Sequence, residues 1–299
     1  MLTGLFFGLL AAAGWGIVDI AGALTARQIG SLRVQIGTLT VGLAAFLVFT
    51  ALRPDLLGDN PLPGVLLGLP LGVFAAAGYI TYMTALRLGP ISVVSPVAVS
   101  YGGLSVILAV VLRGESLNAP QAAGALLATV GVAMVALVLE EGSLRSARIV
   151  GPGVAAALLT VVLFGLLGVL LAGPIRDHGW LPILLGSRLG NLLAGVVLFL
   201  VAMVTGSGRF RTILDPGHAV SRRIVALLVL AGVCDTAAFS AFAIGLEQAP
   251  VWIVTLASSL GPVLVVLFAI VQLGERLRPI QWMGLAALAG GLGVLALAG

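Results

Sequence analysis

Long apolar runs fill most of the chain, and short polar segments separate them. A helix needs roughly 20 apolar residues to cross about 30 Å of hydrocarbon. The runs of sufficient length are approximately 2–24, 32–52, 63–86, 90–112, 119–139, 151–172, 181–205, 223–246, 250–273 and 279–298. Their ends are marked by charged residues, prolines and glycines, as at Arg53-Pro54-Asp55, Arg176-Asp177-His178 and Arg278-Pro279. The pattern predicts an all-α membrane protein with ten transmembrane helices.

The second part of the chain repeats the first. Residues 72–138 align without a gap onto 232–298, and Gly114-Glu115-x-Leu117 recurs as Gly274-Glu275-x-Leu277. Because each half would hold an odd number of spans, the second half enters the membrane from the opposite side. We therefore predict two inverted five-helix repeats, 1–140 and 151–299, that form one transporter domain with both termini on one side. Such architectures place the substrate near the midplane, between the halves.

Composition excludes several other classes of protein. Only 9% of the residues are charged and the mean hydropathy is +1.21, whereas a soluble domain carries roughly 25% charged residues. The net charge of +4 comes from scattered basic residues rather than a patch, so no nucleic-acid partner is expected. The single Cys234 allows no internal disulfide, and the N-terminal run is expected to be a retained helix rather than a signal peptide.

The order of the motifs resembles a known family. Two halves that each carry Gly-Glu-x-Leu followed by Gln-x-x-Gly, with Trp15-Gly16-x-x-Asp19 in the first span, are similar to the EamA branch of the drug/metabolite transporter superfamily. Arg33 and Arg188, near the starts of spans 2 and 7, fit the same pattern, whereas Arg113 stands where a leucine is commoner. The resemblance implies a ten-helix secondary carrier of the bacterial cytoplasmic (inner) membrane that exports small metabolites, as a monomer or a homodimer.

Orientation in the membrane is left open. The resemblance implies a cytoplasmic N-terminus, but the arginines concentrate in the loops that this orientation would place outside, against the positive-inside rule. The sequence therefore predicts only that the two termini share a side.

Two carboxylates lie inside predicted spans, where ionisable residues are functional candidates by default. Asp235 lies about 20 Å from the start of its span, near the midplane. It is the first candidate for binding a proton or a substrate ammonium, with a paired structural aspartate as the alternative. Asp19 shares a helix face with Trp15 and is the second candidate, unless an ion pair with Arg27 or Arg33 explains it.

Aromatic and hydroxyl side chains supply the other candidates. Tyr79 and Tyr82 in span 3 occupy the repeat positions of Phe239 and Phe242 in span 8, on a stripe that lines either a cavity or the core. Hydroxyl residues interrupt spans 4 and 9, where they face a substrate or bond back to their own helix. The predicted substrate-binding residues are Trp15, Asp19, Tyr79, Tyr82, Ser95, Asp235, Phe239, Thr255, Ser258 and Ser259.

The remaining polar residues receive structural interpretations. Arg188 and Arg33 could steer an anion, but we favour snorkelling to the membrane interface. Glu115 and Glu275, just ahead of spans 5 and 10, are interpreted as carboxylates at helix N-termini. The glycine pairs Gly4/Gly8, Gly68/Gly72 and Gly186/Gly190 have the spacing of helix-packing motifs.

The predicted function is proton-coupled alternating access by a carrier of a small cationic or zwitterionic molecule, such as an amino acid, an amine or a drug. Its partners are the small-molecule substrate, protons and the lipid bilayer. No enzymatic motif, metal site or cofactor is predicted. The alternative is a channel or a membrane scaffold that transports nothing. On this interpretation Asp235→Asn folds but loses coupling, and Asp19→Asn is partly impaired.

Overall fold

The fold was obtained as a computed structural model that describes residues 1–88, 97–98, 100–135, 152–205, 221–261, 263 and 278–298. These residues form ten α-helices and one short 3-10 turn at Pro54–Leu57. The helices are α1 (Leu2–Ile29), α2 (Ser31–Leu52), α3 (Leu62–Leu88), α4 (Tyr101–Arg113), α5 (Ala119–Val135), α6 (Pro152–His178), α7 (Trp180–Thr205), α8 (Arg222–Gln248), α9 (Val251–Ser258) and α10 (Pro279–Leu297).

The prediction of an all-helical membrane protein agrees with this architecture. Seven of the described helices are long and apolar enough to cross a membrane: α1, α2, α3, α6, α7, α8 and α10. The described parts of α4, α5 and α9 are shorter, and each ends at or near residues outside the description. The number of ten crossings therefore stays a prediction.

Two helices are longer than the hydrophobic pattern indicated. α1 continues to Ile29 and α6 to His178, so Arg176-Asp177-His178 forms the last turn of a helix rather than a loop. Each extension stops at a glycine with a positive φ, Gly30 (83°) and Gly179 (80°). Polar residues at the end of a membrane helix reach water without ending the helix. The break comes where glycine allows a left-handed backbone that other residues rarely adopt.

α5 and α10 meet through glycines along an antiparallel contact, which we call the glycine seam. A Cβ added at Gly291 would lie 2.7 Å from the Gly124 carbonyl oxygen, and one at Gly284 would lie 2.9 Å from that of Gly131. Gly124 and Gly131 are the repeat counterparts of Gly284 and Gly291. Gly124 therefore packs on Gly291, and Gly131 packs on Gly284, so the same two repeat positions meet in reversed order. The two backbones touch where side chains would normally keep them apart.

The repeated glutamine joins these helices at their ends. Gln121 accepts from the Asn118 N–H (3.0 Å) ahead of α5, and Gln281 accepts from the Arg278 N–H (3.0 Å) ahead of α10. The Gln121 amide also donates to the Ala298 carbonyl (3.2 Å) and contacts the Met1 sulfur (3.3 Å). Both termini thus lie at one end of the bundle, as predicted. We call this end the termini surface.

Two parallel helix pairs carry the residues of the site. Gly68 and Gly72 of α3 pack directly on Gly186 and on the backbone of Ser187 in α7, so the predicted packing role of these spacings is confirmed. Gly4 and Gly8 pack on α9, likewise as predicted. α2 and α8 form the second pair, in which the Thr236 hydroxyl donates to the Gly42 carbonyl (3.0 Å). These close contacts fix the register of α7 and α8.

The glycine seam makes a testable prediction on stability. Gly291→Val would place atoms against the Ala128 N–H, 2.6 Å from the added Cβ, and we expect a loss of about 1–3 kcal/mol from overpacking. Gly293→Val on the same helix is the control, because nothing lies within 4 Å of its Cβ position. Thermal unfolding of the two variants in the same detergent measures the difference. Equal melting temperatures would show that α5 and α10 do not touch at Gly291.

Candidate functional site

The centre of the bundle holds a buried ion pair between α7 and α8. The Arg188 guanidinium donates one Nη1 hydrogen bond to the Asp235 carboxylate and a second, from Nη2, to the Asp235 carbonyl oxygen (2.8 Å). Only 3% of Arg188 and 8% of Asp235 is exposed. Each charge neutralises the other, which permits both to lie in an environment of low polarity.

This pair corrects the interpretation of Arg188. Snorkelling to the interface would leave the guanidinium in contact with water or headgroups, but the side chain is enclosed by protein. Its flat face covers the Phe239 ring at 4.3 Å from the ring centroid, a cation–π contact. A guanidinium that donates from both Nη atoms to one residue of α8 holds α7 and α8 together. The paired alternative for Asp235 is the one that the geometry supports.

Asp19 differs from Asp235 in having an exposed side chain, although it lies well inside α1. Electrostatic interactions connect it with Asp235 and with Tyr79, Tyr82 and Tyr101, which are the three tyrosines of the chain. Because these partners lie on α3, α4 and α8, we interpret the accessible surface of Asp19 as the lining of a cavity inside the bundle. No cation forms a salt bridge with Asp19 among the described side chains, which include Arg33 but not Arg27.

An aromatic layer lies on one side of Asp19 and Asp235. Trp15 packs edge-on against Phe239, with ring centroids 4.9 Å apart, and tilts against Phe242 at 5.5 Å. Phe239 and Phe242 follow Asp235 along α8, in the direction of the termini surface. The α8 part of the predicted aromatic stripe therefore packs against α1, between Asp235 and the termini surface.

The hydroxyl residues of α9 are buried and bond back to their own helix. Thr255 donates to the Val251 carbonyl (2.8 Å), Ser258 to the Thr255 carbonyl (2.9 Å) and Ser259 to the Leu256 carbonyl (2.7 Å). Thr255 and Ser259 also fill the space beside Gly168 and Gly102. Ser258 also interacts with Tyr101, the first residue of α4. Ser95 lies outside the described residues.

Sequence reasoning missed Tyr101, Asn191 and the partner of Arg188. Tyr101 begins α4 and packs edge-on against Phe164, with ring centroids 5.8 Å apart. The Arg188 Nε and the Asn191 Oδ1 are buried and find no hydrogen-bond partner among the residues that the structure describes. The Nε atom is a donor and the Oδ1 atom is an acceptor, and they lie one turn apart on α7. This face of the helix can therefore still donate and accept a hydrogen bond beside the ion pair. The sequence offered one indication for Tyr101: it is the third tyrosine of the chain, and the other two, Tyr79 and Tyr82, were already candidates.

Glu115 and Arg33 lie away from this centre. Glu115 accepts from the N–H groups of Val251 (2.8 Å) and Trp252 (3.0 Å), so it caps α9 rather than α5, the helix that follows it in the sequence. The predicted type of role agrees with the structure, but the helix is a different one. Its counterpart Glu275 lies outside the described residues. Arg33 is half-buried near the start of α2. The first half has no counterpart of Asp235 to pair with it, because Ala75 of α3 occupies that repeat position.

Comparison with known proteins agrees with this architecture. The model of the EamA-like transporter family matches residues 2–137 and 151–297, once for each half, so the chain belongs to the EamA-like transporter family. A solved structure, titled only as the crystal structure of a protein, superposes with a TM-score of 0.79 over 99% of this chain and 97% of that one. At 22% identity it shows the same fold. The search of curated proteins finds no match.

The buried pair predicts an effect on stability. Asp235→Asn leaves the Arg188 charge buried without a counter-charge, and we expect a loss of about 3–5 kcal/mol. The double variant Arg188→Met/Asp235→Leu removes both charges and should recover most of that stability. Thermal unfolding in detergent of the single and double variants measures the coupling.

Asp55→Asn serves as the control, because the Arg53–Asp55 pair is exposed (53% and 58%) and should leave the melting temperature close to that of the wild type. If Asp235→Asn were as stable as this control, Asp235 would not be neutralising Arg188.

Proposed function

We propose that the chain is a proton-coupled secondary carrier of a small cationic or zwitterionic molecule, and that Asp19 is the carboxylate that binds the cationic group. One observation carries this proposal. Asp19 is an accessible carboxylate inside the bundle, within electrostatic range of all three tyrosines, while the other deep carboxylate is occupied by an arginine.

The charges of the site favour a cation at Asp19. Arg188 cancels the charge of Asp235, so the side chains described around the cavity leave the negative charge of Asp19 without an equal positive one. The faces of Tyr79 and Tyr82 offer cation–π contacts to an ammonium, and their hydroxyls can accept or donate hydrogen bonds. A zwitterion would present its ammonium to Asp19 and its acidic group away from it.

Proton coupling follows from the same carboxylate. A carboxylate can bind a proton or an ammonium but rarely both, because each removes the charge that the other needs. Arrival of a proton at Asp19 would therefore release the substrate, which is the exclusion that an antiporter requires. We move this role from Asp235, where the sequence placed it, to Asp19, because a carboxylate held by Arg188 exchanges its partner less readily.

Alternating access is supported by the relation between the halves. Along the glycine seam, each glycine packs on the repeat counterpart of its antiparallel neighbour, which is the contact expected at a two-fold axis in the membrane plane. We therefore propose that 1–140 and 151–299 are inverted repeats of one transporter domain. Rocking of one repeat against the other about a fixed site is the usual mechanism in such folds.

The cellular setting of the proposal follows from the family. We place the carrier in the bacterial cytoplasmic (inner) membrane, where it exports its substrate as a monomer or a homodimer. A channel would share the fold but would conduct without counterflow, so exchange of labelled for unlabelled substrate across proteoliposomes distinguishes the two classes.

The proposal predicts the effect of neutralising Asp19. A thermal-shift screen with choline, ethidium, L-lysine, L-threonine and glucose 6-phosphate identifies a ligand for flux measurements in proteoliposomes with an imposed pH gradient. Asp19→Asn should bind a cationic ligand about 10- to 100-fold more weakly, since a charged hydrogen-bonded contact is lost, and its flux should no longer respond to the gradient. Asp55→Asn, which removes an exposed carboxylate, should transport like the wild type.

Two outcomes would contradict the proposal. Undiminished gradient-driven flux in Asp19→Asn would exclude its coupling role. A saturable preference for glucose 6-phosphate over every cation would contradict the substrate class, because a dianion needs more positive charge than the cavity offers.

A further inference from the structure

Four charge-assisted hydrogen bonds hold the turn between α8 and α9. Glu115 accepts from the backbone N–H groups of Val251 (2.8 Å) and Trp252 (3.0 Å), the first residues of α9. Arg176 donates to the carbonyls of Leu246 (3.1 Å) and Ala249 (2.9 Å), at the end of α8. The two side chains approach each other to 4.0 Å. We call this arrangement the helix-end clamp.

In the clamp, the cation Arg176 lies at the C-terminus of α8 and the anion Glu115 lies at the N-terminus of α9. The last carbonyls of a helix and the first N–H groups of the next have no partner within their helices. A cation at a C-terminus and an anion at an N-terminus satisfy these groups and oppose the helix dipoles. Val251 and Trp252 are buried, and only 13% of the Glu115 side chain is exposed. Water therefore substitutes poorly for the carboxylate.

Local structure directs Glu115 to this turn. Gly114 ends α4 in the left-handed conformation (φ 67°), and its N–H bonds to the Val110 carbonyl (3.1 Å). This reversal is a common way for a helix to end at glycine. It places Glu115 immediately beyond the helix end, with its carboxylate reaching α9. Gly114-Glu115 is thus a turn followed by a cap for a different helix.

The clamp lies between the cavity and the termini surface. Leu246 is about 16 Å along α8 from Asp235, and the aromatic layer of Trp15, Phe239 and Phe242 lies between them. A Cβ at Gly4, near the N-terminus, would lie 2.9 Å from the Ala249 side chain. The α8–α9 turn is therefore at the termini surface, where it is tied to the ends of α4 and α6.

We propose that Glu115 and Arg176 are positioning residues that keep the α8–α9 turn closed at the termini surface, and that releasing this clamp opens the Asp19 cavity to that side. The inference rests on the proposed carrier function, since a carrier must open to each surface in turn. Moving the turn away from α4 and α6 breaks all four hydrogen bonds at once. The clamp therefore sets how often this surface opens, while Asp19 sets what binds.

The test measures access to Asp19 and needs no substrate. The background is Asp19→Cys with Cys234→Ser, in oriented membrane vesicles, and the probe is a membrane-impermeant methanethiosulfonate applied from either side. Glu115→Gln keeps the size of the side chain and one acceptor oxygen but removes the charge. We expect labelling from the termini surface to rise about tenfold, the equivalent of one lost charged hydrogen bond, and labelling from the opposite surface to fall.

Asp55→Asn is the matched control, since Asp55 follows α2, which runs parallel to α8 and ends at the same surface. It should leave both labelling rates unchanged. Arg176→Gln should act in the same direction as Glu115→Gln. Thermal unfolding of each variant establishes that the labelled protein is folded.

Each result decides one proposal. A folded Glu115→Gln variant with the labelling rates of the control would overturn the clamp and leave a cap that only stabilises α9. Failure of every cation to bind or to be transported, together with the expected change in labelling, would overturn the proposed substrate class and retain the clamp.

Discussion

A guanidinium inside a membrane protein needs a counter-charge, and the arrangement of the centre follows from how Arg188 obtains one. Asp235 supplies both a carboxylate and a backbone carbonyl to the guanidinium, and Phe239 covers its face. Because an unpaired charge in this environment is costly, the pair fixes α7 against α8. It also occupies one of the two carboxylates that lie deep in the described helices, and Asp19 is the other.

Backbone groups at helix ends impose a second constraint of the same kind. Where water is scarce, the first N–H groups and the last carbonyls of each helix need side-chain partners. Glu115 and Arg176 serve the α8–α9 turn, and Gln121 and Gln281 serve α5 and α10. Among the described residues, several of the polar side chains are thus used at helix ends.

The sequence predicted those features that depend on periodicity and repetition. The helices and the glycine spacings follow from local pattern and are present in the described residues, and the family model matches each half once. The sequence could not predict contacts between distant segments. The partner of Arg188 lies 47 residues away and that of Glu115 lies 136 residues away. Such pairs depend on the register of packed helices, which hydropathy does not encode. The hydroxyls of Thr255, Ser258 and Ser259 bond to their own helix, which is one of the two alternatives that the sequence left open.

The glycine seam between α5 and α10 has a mechanical consequence. Interlocked side chains resist sliding, because each must leave its rotamer well before its neighbour can pass. At the seam, backbone meets backbone through Gly124, Gly131, Gly284 and Gly291, and these positions carry no rotamers to rearrange. Two helices joined in this way can tilt against each other with little repacking. In the carrier proposed above, α5 and α10 are therefore the helices along which one half can move against the other with little rearrangement of side chains.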